Sequence, residues 1–91
     1  MSEAHYFFPP ASAYALNRFL FALKSDATAR ARYAEDAEAT MREGGLDEVT
    51  RAALSTFDRD RLVGLGAHPY LVFMAQVRLA MDGKPETFEY F

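Results

Sequence analysis

The chain has 91 residues, 51% of them hydrophobic and 25% charged, with ten Lys+Arg against thirteen Asp+Glu for a net charge of −3. That composition describes one small folding domain, and the acidic balance argues against nucleic-acid binding through a basic surface. Cysteine is absent, which excludes disulfides, zinc-thiolate sites and a thiol nucleophile, and His5 and His68 are the only histidines.

The N-terminal arm, residues 1–11, has no basic start and no long apolar stretch, so it does not read as a secretion signal. After Pro9-Pro10, Ser12 is a candidate N-cap for a helix over Ala13–Lys24, where Leu16, Phe19, Leu20 and Leu23 recur at helical spacing. Asp26 caps a short helix over Ala27–Ala34, and Asp36 starts another over Ala37–Glu43 that closes on Gly44-Gly45. Asp47 caps Glu48–Phe57, and Asp58 caps Arg59–Leu65, ended by Gly66. Pro69 suits the first turn of a last helix, Tyr70–Met81, after which Asp82-Gly83 reads as a turn and Pro85 bars continuation. Nothing alternates long enough for a strand. The fold class is therefore all-α: a compact bundle of five to six short helices in a single domain, with a helical core at 12–81 and an aromatic tail at 82–91.

Charge is unevenly placed along this pattern. Residues 26–61 carry fifteen of the twenty-three charged side chains, while residues 62–81 carry only Arg78. The acids of 35–48 read as a solvated helical face. The last helix is apolar almost all the way round, so it is either central in the bundle or covered on its second face by another chain. The longest apolar zone, Leu62–Met81, is interrupted by Gly64, Gly66, His68-Pro69, Gln76 and Arg78, which argues against a membrane span. A cytoplasmic location is the default expectation.

Self-contained catalysis has few candidates. No G-x-S-x-G turn is present, and Ser12, Ser25 and Ser55 fall at helix caps or helix surfaces. A metal site would have to combine His5 and His68 with acids such as Glu43 or Asp82, and no helical His/Glu ligand spacing supports it. Gly64-Leu65-Gly66 lacks the Lys-Ser/Thr that follows in a phosphate loop. Two places stand out. His68, Pro69 and Tyr70 form the connection into the last helix, where His68 either caps the helix or meets a partner's surface. Phe88, Tyr90 and Phe91 place three aromatics among the last four residues. Such an aromatic end docks either on its own bundle or on another chain, and His5-Tyr6-Phe7-Phe8 poses the same question at the other end.

The order of motifs carries a resemblance. Tyr14-Ala-Leu-Asn-Arg-Phe-Leu-Phe-Ala-Leu-Lys24 is followed by Asp26, Arg32-Tyr33 with Asp36, Gly45-Leu46 and Ala52-Ala53-Leu54. Asp58, Leu62, Gly64-x-Gly66, Tyr70, Asp82-Gly83-Lys84 and Phe88 complete it. Over roughly Tyr14 to Phe88 this resembles the small (alpha) subunit of protocatechuate 4,5-dioxygenase-type extradiol ring-cleavage dioxygenases, a LigA-like domain. The resemblance implies an accessory all-helical chain that covers the active site of a large (beta) subunit and has no catalysis of its own. It implies that iron(II) belongs to that large subunit, with no cofactor in this chain, and that Phe88 lies near an aromatic-substrate cleft. Gly66-Ala-His68-Pro69 departs from the family's Gly-Asn-like connection, and the chain is shorter than the protocatechuate subunit at both ends. A stand-alone helical interaction domain, self-associating as a homo-oligomer, is the alternative.

Overall fold

The computed structural model describes residues 11–83. They form six helices: α1 (Ala11–Ser25), α2 (Ala27–Glu35), α3 (Ala37–Glu43), α4 (Glu48–Ser55), α5 (Arg59–Gly64) and α6 (Pro69–Gly83). No strand occurs among the described residues, and the all-α reading holds.

Aspartate starts the four middle helices as expected. The carboxylates of Asp26, Asp36, Asp47 and Asp58 accept from the backbone N–H groups of Thr28, Ala39, Thr50 and Arg61, at 2.9, 3.1, 2.8 and 3.2 Å. Each satisfies a donor the first helical turn leaves without a partner. At Asp47 the Thr50 hydroxyl and then the Thr50 N–H hold the carboxyl below its ordinary range.

Three helix ends follow one device. After α3, α4 and α5 the chain turns left-handed at Gly45 (φ 81°), Phe57 (φ 50°) and Gly66 (φ 106°). At each, paired bonds close the end: Gly45 and Leu46 N–H to Arg42 and Met41 O, Phe57 and Asp58 to Leu54 and Ala53, Gly66 and Ala67 to Val63 and Leu62. The sequence pattern carries α4 through Phe57. The helix stops at Ser55 instead, because Phe57 takes the left-handed position and packs against the core. A non-glycine residue there costs about 1–2 kcal/mol, which the packing of the ring offsets.

Other boundaries differ too. α1 and α2 run one residue longer than expected, to Ser25 and Glu35, and α6 begins one residue earlier, at Pro69. Three differences have a structural consequence. α1 begins at Ala11, so Ser12 lies within its first turn and is not the residue ahead of the helix. α5 ends at Gly64, one residue short of the expected Leu65, which serves as its C-cap. α6 runs on through Asp82 and Gly83, in place of the expected turn. Neither residue forbids helix, and Arg30 draws Asp82 into the packing.

The core is built from Leu16, Leu20 and Leu23 of α1, Met41, Leu46, Leu54 and Leu62 of the middle segments, and Val72 and Ala75 of α6. Phe19 meets Tyr33 edge-to-face, centroids 5.9 Å apart, and half-burial raises the Tyr33 phenol above its ordinary value. α6 packs chiefly on α1. The two run parallel. Near their starts, Asn17 bonds the residues leading into α6; near their ends, Arg30 joins Asp82 to the Leu23 and Lys24 carbonyls.

Burial divides α6 unequally. Val72 and Ala75 are fully enclosed, Leu71 and Leu79 partly so, whereas Tyr70 and Phe73 are 54% and 57% exposed. The bundle's own helices therefore cover one side only. Among the described residues, no helix is long and apolar enough to cross a membrane.

Candidate functional site

The connection from α5 to α6 is held from below by α1. The Asn17 side-chain amide donates to Gly66 O at 2.9 Å and to Ala13 O at 3.0 Å, and its oxygen accepts from His68 N–H at 2.7 Å. One side chain thus ties three points of backbone. It makes up the polar bonds that an irregular connection loses where it presses on a helix. Contact is close: a Cβ on Gly66 would stand 2.5 Å from the Ala13 Cβ. Gly66 is required twice, for its positive φ and for this approach.

His68 caps α6. Its Nδ1 accepts from Tyr70 N–H at 3.2 Å, and its carbonyl takes the first helical bond, from Val72 N–H at 3.1 Å. Pro69 sits at the first helical position, where a missing N–H costs nothing. A nitrogen that accepts carries no proton, so the ring proton sits on Nε2. The imidazole is exposed and stands edge-on to Tyr70, ring centroids 6.5 Å apart. His68, Pro69 and Tyr70 are thus brought together as one exposed turn, with Phe73 a helical turn further on.

The remaining site residues read from sequence, Phe88, Tyr90 and Phe91, lie outside the described residues, as does the segment His5–Phe8. Glu43, weighed as a metal ligand, pairs with Arg32 across the α2–α3 corner, and Asp82 pairs with Arg30 at 2.6 Å. Among the described residues no three His, Asp or Glu side chains converge, so they offer no ligand set that fits an iron. Ser55 donates to Ala52 O of its own helix at 2.8 Å. The acids of α3 and α4 are exposed; Glu38 pairs with both Arg42 and Arg51, and Glu38 and Glu48 line an open cleft of about 260 Å³.

Two residues that matter escape a reading of the sequence. Asn17 stands among apolar neighbours in a helix, where asparagine is a poor helix former; that mismatch is the available signal. Arg30 sits in an alanine-rich stretch that gives no hint of burial. It is 8% exposed, and its guanidinium donates to Leu23 O (2.9 Å), Lys24 O (3.3 Å) and Asp82 (2.6 Å).

Fold and site together define a small all-helical domain that presents exposed rings, Tyr70 and Phe73, beside a helix-capping histidine. The family model described as aromatic-ring-opening dioxygenase LigAB, LigA subunit, matches residues 16–83. The chain belongs to this LigA family. No curated protein matches it, and no solved structure does either.

Proposed function

We propose that this chain is the non-catalytic small subunit of an extradiol dioxygenase, covering the active-site cleft of a large subunit that binds iron(II). The family match over residues 16–83 carries the reading, since it spans nearly every described residue. The exposed turn His68–Tyr70 and Phe73 are the docking surface on this side. Tyr70 and Phe73 supply broad apolar area with few rotatable bonds, and His68 Nε2–H offers one donor beside them. The aromatic tail, Phe88, Tyr90 and Phe91, contributes near the substrate cleft.

The test is oxygen consumption with catecholic acids by the large subunit, expressed with and without this chain. Activity is expected only with both chains, and equal activity in the two samples would sink the proposal. His68→Asp keeps an N-cap acceptor and removes the imidazole donor, whereas His68→Ala removes both. Weakened complex formation by His68→Asp at unchanged melting temperature assigns His68 to the interface. Normal binding by that variant assigns it to capping alone.

A second reading, a homo-oligomer without a dioxygenase partner, draws on the same exposure of Phe73, followed along α6 by Val77 and Ala80. Light scattering on the isolated chain separates the two. A stable symmetric dimer disrupted by Phe73→Glu favours self-association, and a monomer removes it.

A further inference from the structure

Charge is divided between two halves of the bundle. Residues 26–61 carry nine acids and six cations, whereas residues 11–25 and 69–81 carry no acid, and their only charges are Arg18, Lys24 and Arg78. The α1–α6 pair is thus a cationic face on an acidic chain. Among the described residues, Arg30, Arg32, Arg42 and Arg51 have carboxylate partners and Arg59 and Arg61 flank Asp60, but Arg18, Lys24 and Arg78 have none. Rings hold two of these three instead. Arg18 stands 6.0 Å from the Tyr14 ring centroid and Lys24 stands 5.1 Å from that of Phe21. Both rings are mostly in solvent, 67% and 54% exposed. A cation held over a ring by the ring's quadrupole keeps its outer side open to an anion.

Positions 14, 18, 21 and 24 recur at helical spacing, so these rings and cations share one side of α1. That side borders α6. Asn17 marks the line of α1 turned to the start of α6; Tyr14 and Phe21 lie about 60° and about 40° round from it, away from the buried Leu16 and Leu20. The Asn17–His68 bond joins the two helices here, with Tyr14 one turn from Asn17 and Tyr70 just after His68. Arg78 precedes Asp82 by one turn, on the row of α6 that reaches the end of α1 through Arg30. The exposed rings of α6 and the ring–cation side of α1 therefore adjoin.

We propose that the large subunit docks across both helices, and that its surface facing Tyr14, Arg18, Phe21 and Lys24 is apolar and set with carboxylates. This rests on the small-subunit reading and adds to it the α1 half of the interface and the charge of the partner. Tyr, Phe and Arg are the residues that protein interfaces concentrate, which favours a protein as the occupant. A helix lying on an anionic membrane separates its cations from its apolar side, and α1 sets the two on the same side.

The affinity of the full chain for the large subunit, by calorimetry at low and at raised salt, tests it. Arg18→Glu with Lys24→Glu should weaken binding about tenfold or more and flatten its salt dependence. Arg59→Glu with Arg61→Glu makes the same change of net charge on α5 and should weaken it less than about twofold. Urea midpoints show whether each variant folds. Arg18→Gln with Lys24→Gln, which removes the charges without reversing them, should weaken binding about fivefold and serves if the reversed α1 does not fold. An α1 variant that folds and binds like the wild type would overturn the proposal, as would equal losses for the α1 and α5 variants. Both outcomes leave the small-subunit reading standing, because the chain still binds. A wild-type chain with no affinity for the large subunit would overturn that reading and the proposal together. Capture of the isolated chain by phosphatidylserine vesicles, abolished by the reversal while affinity for the large subunit is unchanged, would assign the face to a membrane and overturn it too.

Discussion

The α1–α6 pair is tied at both ends, by opposite means. At the start of the helices the tie is neutral and cramped: the Asn17 amide makes three backbone bonds of 2.7–3.0 Å, and Gly66 leaves no room for a Cβ. At the far end the tie is charged and longer: the buried Arg30 guanidinium spans two carbonyls of α1 and the half-exposed Asp82. The neutral end fixes the connection that carries His68 and Tyr70 by short backbone bonds and a close approach that admits no added Cβ. The charged end closes the bundle through a planar guanidinium whose fork of donors meets three acceptors at once.

Substitutions break or sharpen this contrast. The largest effect is expected from Gly66→Ala, which adds a Cβ at a left-handed position and against Ala13 at once. Strain and overpacking together give about 3 kcal/mol or more, read as a lowered urea midpoint. Gly45→Ala is the control: its φ is also positive (81°), but nothing lies within 4 Å of the added Cβ. It should cost only about 1 kcal/mol. If the two variants cost the same, close approach is not what specifies Gly66.

Arg30→Met comes next, at about 2–3 kcal/mol, since it leaves Leu23 O without a partner in the core. Asn17→Ala removes three bonds, for about 2 kcal/mol. Unlike Arg30→Met, it should also shift the chemical shifts of His68 and Tyr70. An Arg30→Met variant that disturbs those shifts equally would erase the distinction between the ends. Asp82→Asn should cost less, about 0.5–1 kcal/mol, because that carboxylate is half in solvent.

The smallest expected effects are on pH dependence. Asp47 has its folded-state pKa lowered, so its contribution is present above the ordinary carboxylate value and is lost as pH falls below it. Asp47→Asn should flatten the acid limb of a stability profile. Tyr33 has its folded-state pKa raised, so its contribution is complete below the ordinary phenol value and is lost as pH rises beyond it. Tyr33→Phe should flatten the alkaline limb. Thermal melts across pH read both.

Much of this is legible in the chain because it is local. An aspartate two or three residues before a backbone N–H is a cap wherever the helix lies, so the four middle helices can be placed from their first residues. A glycine after a helical run is a left-handed stop for the same reason, and Gly45 and Gly66 behave so. Phe57 does not advertise its stop, because its strain is offset by core packing that exists only in the folded state. Asp82-Gly83 reads as a turn because both residues favour turns; continuation of α6 depends on Arg30, 52 positions earlier in the chain.

The candidate site divides along the same line. His68-Pro69-Tyr70 can be singled out by its residue types, and capping is one of the two roles those types allow. That it rests on Asn17, 51 residues away, cannot be read, since no local pattern couples an amide to a distant loop. Local patterns along the chain specify the all-α class, the capped starts and the pronounced apolarity of the last helix. Which side of that helix is buried follows from packing. Burial depends on where α1 and the middle helices lie, and they enclose Val72 and Ala75 while leaving Tyr70 and Phe73 outside.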